Sequence, residues 1–252
     1  MFDFFSISFL EIFLGIDYLH LIFQGFLVTI QISFYTIIIS TLLGFFLVLI
    51  KESQLFFFRY LIIIYISLFR NTPLLIQLFF WYFAAINMFP KFIIEWLNTP
   101  HQISIIGVQL AWPSFEFLAG MIGLIFYSAP FIAEELKSGI YAVKIEQKFA
   151  ALALGFSNFQ VMYYIIFPQA FKISIPLFFN QYMNIIKNSS LTMAIGVTEL
   201  SYVSRQIENE NFQTFLIFGI TTFFYIIIIF IIEVLSQWYQ RRFLIKKYSY
   251  EF

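Results

Sequence analysis

Two cations lie inside otherwise apolar stretches of this chain. Arg70 sits in Leu68-Phe69-Arg70-Asn71-Thr72-Pro73-Leu74, and Lys187 in Asn184-Ile185-Ile186-Lys187-Asn188-Ser189-Ser190-Leu191. The chemistry such groups offer is the binding of anions. Arg70 either meets a carboxylate on a solute path or caps the carbonyls freed by Pro73, with Asn71 and Thr72 helping to satisfy them, and so only holds the helix together. Lys187, flanked by Asn188, Ser189 and Ser190, either coordinates an anionic solute or snorkels to the interface or pairs with a neighbouring subunit. Both alternatives stay open at this level.

Other chemistries find little support. His20 and His101 have no ligand-like spacing and cysteine is absent, so neither a metal site nor a disulfide framework is expected, and no cofactor. A membrane-embedded enzyme needs clustered His, Asp or Glu, and only Glu134-Glu135 and Glu199 offer anything. Glu134-Glu135 read as solvated residues at a span end. Glu199 and Glu233 read as end residues that meet headgroups or water. With no carboxylate deep in a span, and no internal repeat, an ion-coupled secondary transporter is disfavoured.

The elements that must position Arg70 and Lys187 follow from composition. Of 252 residues, 61% are hydrophobic, 23% aromatic and only 11% charged. A soluble domain carries about 25% charged residues. With a mean hydropathy of +0.87 the chain is neither a cytosolic globule nor disordered. The balance of 14 basic and 14 acidic residues excludes a surface-wide nucleic-acid binder. The fold class is all-α, a polytopic membrane protein.

A span needs about 20 apolar residues. The charge-poor intervals predict five: one within 21–50; one long span after Arg59, broken near Thr72-Pro73; then 117–133, 173–197 and 212–232. The interval 149–171 is also uncharged, but promoting it to a span would put the basic C-terminus outside. Gly155, Ser157 and Pro168 also argue against a continuous spanning helix there. With the N-terminus outside and the C-terminus inside, Lys51, Arg59, Lys137, Lys144, Lys148, Lys172, Arg241, Arg242, Lys246 and Lys247 all face the cytoplasm, leaving only Lys91 and Arg205 outside. The N-terminus, lacking Lys and Arg, does not read as a secretory signal. The expected organisation is a short external segment over 1–20, a transmembrane domain over 21–235 with a cytoplasmic loop over 134–172, and a basic cytoplasmic tail over 236–252.

That loop is neither Gly/Ser-rich nor strongly charged. Its patch Ala150-Ala151-Leu152-Ala153-Leu154-Gly155 offers small residues that let another surface come close, and the glycine suggests a helix–turn–helix. It reads as a docking loop, or alternatively as an amphipathic hairpin on the membrane surface.

Four stretches resemble the permease subunits of bacterial ABC importers for polar amino acids. Arg70-Asn71-Thr72-Pro73-Leu74-Leu75-Ile76-Gln77-Leu78 is similar to that family's R-G-T-P-L-L-x-Q-L, with Asn71 for Gly. Tyr127-Ser128-Ala129-Pro130-Phe131-Ile132-Ala133-Glu134, continued by Gly139-Ile140, resembles the entry to its cytoplasmic loop. Gln147 to Gly155, then Phe167-Pro168-Gln169-Ala170, is similar to the EAA loop and its trailing L-P-Q-A, with Phe149 for the glutamate. Lys187-Asn188-Ser189-Ser190-Leu191, then Ile195-Gly196-Val197 and Glu199-Leu200, resembles the motif after that loop.

The resemblance implies a multi-pass inner-membrane subunit that forms the translocation path. Its partners would be cytoplasmic ATPase subunits, a second permease subunit (self or paralogue) and a periplasmic amino acid-binding protein. The Lys187-Asn188-Ser189-Ser190 form and the loop look most like the glutamate/aspartate branch, with glutamine or another polar amino acid as the alternative. Arg70, Thr72, Lys187, Asn188, Ser189 and Ser190 would line the path, and Ala150, Ala151, Gly155 and Pro168 would couple to the ATPase. With no G-x-x-x-x-G-K-[ST] loop, the chain is not expected to be an enzyme, and ATP would be bound and hydrolysed by the partner.

Overall fold

The computed structural model describes residues 16–52, 56–84, 91–99, 102–105, 108–111 and 113–245. His101, Lys246, Lys247 and most of the external segment 1–20 fall outside them. The described residues are helical almost throughout. Helix α1 covers Ile16–Lys51 and α2 Phe56–Asn71. Helix α3, Leu74–Phe79, runs into a π-helical turn over Phe80–Ala84, and the short α4 covers Lys91–Asn98. A two-stranded antiparallel ribbon follows, β1 (Gln102–Ile105) against β2 (Val108–Ala111), with Gln102 opposite Ala111. Helix α5 is Phe115–Ala142 and α6 Ile145–Ala153. Helix α7, Asn158–Val161, passes through a π-helical turn, Met162–Ile166, into α8, Phe167–Ser189. A 3₁₀ turn over Ser190–Ile195 leads to α9, Leu200–Asn211, and α10 covers Thr214–Tyr239.

Among the described residues, four stretches are long and apolar enough to cross a membrane: Asp17–Lys51, Phe115–Ala142, Asn158–Ile195 and Thr214–Phe243. The number is five if the bent pair α2 and Leu74–Ala84 forms one span, as the sequence predicts. At about 1.5 Å per residue, the 36 residues of α1 exceed the roughly 30 Å hydrocarbon core. Its buried face carries Thr29, Ser33, Thr36 and Ser40, between Gly25 and Gly44. Small residues at that spacing let neighbouring helices approach closely.

Two compact units share the chain. The first comprises Met1–Thr36, Pro73–Leu124 and Ile186–Ile228, and the second Ile37–Thr72, Ile125–Ile185 and Ile229–Phe252. In the first, Ile22 packs with Leu200, Val203, Ile207 and Ile217, and a Cβ at Gly25 would lie 3.0 Å from Val203 and 3.1 Å from the Leu200 backbone. In the second, Leu47, Val48, Ile62 and Ile66 pack with Ile132, Leu136 and Ile185. There a Cβ at Gly44 would come within 2.9 Å of Ile132, and one at Gly139 within 2.6 Å of the Ala170 carbonyl.

Pro168 departs from expectation. It does not interrupt the helix, which continues into α8. The π-helical turn just before it is the reason: the Phe167 N–H reaches back five residues to the Met162 carbonyl. That wider turn relieves the clash a proline ring makes with the carbonyl one turn upstream.

Candidate functional site

The loop between α5 and α8 is built by two capping devices. Helix α6 ends in a Schellman motif: the Phe156 N–H bonds the Ala151 carbonyl at 3.2 Å, and the Gly155 N–H bonds that of Leu152 at 3.0 Å. Gly155 supplies the left-handed φ of +88° this closure requires. Two residues on, Ser157 caps α7 in a reciprocal box with Gln160: its hydroxyl accepts from the Gln160 N–H at 3.3 Å, and its own N–H donates to Gln160 Oε1 at 2.8 Å. The helix–turn–helix read from the glycine is present, and Ser157-x-x-Gln160 is the signal that places its second half.

The loop is anchored on one side and open on the other. Ala151 is buried, and Gln169 Nε2 donates to Gln147 Oε1 at 2.7 Å and to the Ile165 carbonyl at 2.8 Å. Ala150, Gly155 and Pro168 are exposed, and nothing in the described chain lies within 4 Å of a Cβ built on Gly155. Phe149 is 62% exposed and Leu154 80%, with Phe159, Tyr163 and Tyr164 also exposed. Large apolar groups exposed together suit either a protein partner or the membrane, and Phe159, Tyr163 and Tyr164 lie within the candidate span Asn158–Ile195.

Arg70 ends α2 in the second unit. Its guanidinium lies over the Phe131 ring, 5.4 Å from the centroid, and Nη1 is 3.9 Å from Glu134 Oε2. Glu134 in turn accepts from Lys51 Nζ at 2.7 Å. The helix end is closed by Thr72, whose hydroxyl donates to the Leu68 carbonyl at 3.0 Å, while Asn71 donates to the Ser67 hydroxyl at 3.3 Å. Glu134 and Glu135, read from sequence as solvated, are part-buried and paired. Glu135 accepts from Gln181 at 3.1 Å, and its carbonyl takes the Ser174 hydroxyl. Helix α5 simply continues past them to Ala142, carrying both among neighbouring helices.

Lys187 ends α8 in the first unit and is exposed, with Asn188 partly so. Ser189 is fully buried and donates to the Ile186 carbonyl at 2.8 Å, and Ser190 donates to that of Lys187 at 2.7 Å. These hydroxyls thus close the carbonyls of the last helical turn. Gly196, at φ +87°, then ends the 3₁₀ turn.

Glu199 corrects the sequence reading. It meets neither headgroups nor water but is completely buried. It caps α9: Oε2 accepts the Ser201 N–H and the Tyr225 hydroxyl, both at 2.9 Å, and Oε1 accepts the Tyr202 N–H at 2.9 Å. Thr29 on α1 donates to Oε2 at 3.4 Å. Four donors compensate the burial of the carboxylate. An acid directly before an apolar-periodic helix is the cap signal that finds it. Among the described residues, no group of three or more His, Cys, Asp or Glu could hold a metal.

Comparison with known proteins bears on this architecture. The chain is 29% identical to the glutamate/aspartate import permease protein GltJ of Escherichia coli (strain K12), over 84% of this chain and 82% of the relative. It is 30% identical to GlnP of Rickettsia felis, whose name assigns it to a glutamine transport system, over 88% of this chain and 92% of that one. Among solved structures, an amino acid ABC transporter crystallised with histidines superposes with a TM-score of 0.76 at 27% identity, over 90% of this chain and 96% of the other. The profile of one protein family, the binding-protein-dependent transport system inner membrane component, matches residues 37–245. With most of its length inside that match, the chain belongs to the family of binding-protein-dependent transport system inner membrane components.

Proposed function

We propose that this chain is the transmembrane subunit of an ATP-driven importer, forming the path for a polar amino acid, glutamate or aspartate, across the inner membrane of a bacterium. The observation that carries the reading is the helix–turn–helix over Ile145–Val161, which is capped on both sides of its turn, anchored through Ala151 and Gln147, and exposes Phe149, Leu154 and Phe159. Such a surface suits the groove of a cytoplasmic ATPase. Ala150, Ala151, Gly155 and Pro168 form or shape it, and hydrolysis takes place on that partner. The C-terminus lies on the same, cytoplasmic side and the N-terminus outside. A binding protein delivers the solute, and a second permease subunit completes the path.

Along this path Arg70 and Lys187 supply positive charge and Asn188 an amide. Thr72, Ser189 and Ser190 close the helix ends that present them. The positive charge of each of these residues and the likeness to GltJ support an acidic amino acid. A glutamine solute is the second reading, favoured by the likeness to GlnP. ATPase activity of the reconstituted complex with its binding protein, measured across a panel of amino acids, separates them. Stimulation by glutamate and aspartate alone supports the acidic solute. Stimulation by glutamine keeps the importer and replaces its cargo, and hydrolysis that no amino acid stimulates refutes the reading.

A further inference from the structure

A cavity of about 310 Å³ in the second unit is lined by Lys51, Ile63, Ile66, Ser67, Arg70 and Asn71. Its charges do not balance: Lys51 and Arg70 share the single carboxylate of Glu134. Lys51 takes it, at 2.7 Å and with its side chain only 13% exposed. Arg70, at 3.9 Å, is beyond hydrogen-bond reach, so its ring contact with Phe131 positions it without satisfying its donors. Ser67 accepts from Asn71, which leaves its hydroxyl hydrogen available to donate. The Arg70 side chain is 42% exposed, so its unused donors are accessible from the cavity, and the guanidinium fork matches an oxyanion.

We infer that Lys51, Ser67 and Arg70 form a binding site for one oxyanion group, the carboxylate of a solute or the phosphate of an anionic lipid. Arg70 and Ser67 donate to the anion. Lys51 holds Glu134 away, so that Glu134 positions the guanidinium without neutralising it. The solute source rests on the importer reading above. The lipid source stands without it, because Ile63 on the cavity rim continues into the exposed apolar face of α2, with Phe57, Tyr60 and Ile64, along which acyl chains can lie.

The test is the melting temperature of the full chain, purified with its partner subunits, against sodium glutamate, phosphatidylglycerol and the zwitterionic control phosphatidylcholine. At a hundredfold excess over the dissociation constant, a bound anion raises the melting temperature by roughly 5–10 °C. The expected result is such a rise with glutamate or with phosphatidylglycerol, absent with phosphatidylcholine and lost in Arg70→Gln. Glutamate alone identifies the carboxylate source and phosphatidylglycerol alone the phosphate source. Ser67→Leu fills the cavity without touching either charge, and loss of the shift there supports the site even if Arg70→Gln fails to assemble. No rise with either anion, or a rise undiminished in both variants, overturns the inference. Amino acid-stimulated hydrolysis in the same preparation shows whether the importer reading survives that failure.

Discussion

Replacing Glu199 by alanine removes a carboxylate that four donors share, and the cost can be worked out donor by donor. Tyr225 keeps a partner, because its hydroxyl also lies 3.1 Å from that of Ser201, and Thr29 keeps its bond to the Gly25 carbonyl at 3.1 Å. The N–H groups of Ser201 and Tyr202 have no replacement, being in the first turn of α9, where no helical acceptor exists. Two orphaned donors cost about 1–3 kcal/mol each, and relief from burying a charge offsets part of that, for a net loss of about 2–5 kcal/mol. At about 2–4 °C per kcal/mol for a chain of this size, the melting temperature should fall by about 4–20 °C. Glu199→Gln keeps the side-chain volume and, with its carbonyl oxygen in the place of Oε2, keeps three of the four donors while its amide faces the Tyr202 N–H, so it should fall between wild type and alanine. The assay is a detergent melt followed by size-exclusion chromatography of the assembled complex. Wild-type melting in both variants would refute the claim that this carboxylate joins α1, α9 and α10.

Three further outcomes follow from the same geometry. Arg70→Ala and Lys187→Ala should each weaken acidic amino acid uptake while the complex still assembles; normal transport by both in proteoliposomes removes them from the solute path. Gly155→Asn and Gly155→Asp adopt the left-handed conformation about equally well, so Asn should preserve substrate-stimulated ATPase and the charged Asp should abolish it; equal stimulation in both removes this turn from the docking face. Phe149→Glu places a charge on the exposed apolar face, and if that face is buried by the ATPase the loss of about 1.5–3 kcal/mol should weaken subunit association roughly 10–150-fold, read by titrating the ATPase onto the purified permease.

The spans were legible because a bilayer demands long uncharged helices, and the intervals between Asp17 and Lys51 or between Glu210 and Glu233 have no other reading. Their ends were less legible. Charge marks where hydrocarbon stops, not where a helix stops, so α5 runs eight residues past Glu134 and α7–α8 begins at Asn158. Gly155 was readable because a positive φ leaves few alternatives. Pro168 misled because the π-helical turn that accommodates it depends on hydrogen bonds five residues apart, for which residue type gives no signal. Glu199 misled for a different reason: its two backbone donors are local, but Thr29 and Tyr225, which complete its burial, lie 170 and 26 residues away.

These polar residues divide by what they bond to. Thr72, Ser157, Ser189, Ser190 and Glu199 all serve helix ends, donating to the last carbonyls or accepting from the first N–H groups. A chain with so little charge has to satisfy its helix termini from within, because water is scarce around spanning helices. Arg70 and Lys187 stand apart, ending α2 and α8 with no carbonyl bonded by the side chain of either among the described residues. If their task were to cap helix ends, Thr72 at one end and Ser189 with Ser190 at the other would already have done it. At the break before Pro73 it is Thr72, not Arg70, that bonds the Leu68 carbonyl. What its guanidinium has instead is a ring beneath it, a carboxylate held by another cation, and a cavity beside it. That environment is what the anion site proposed above requires of Arg70.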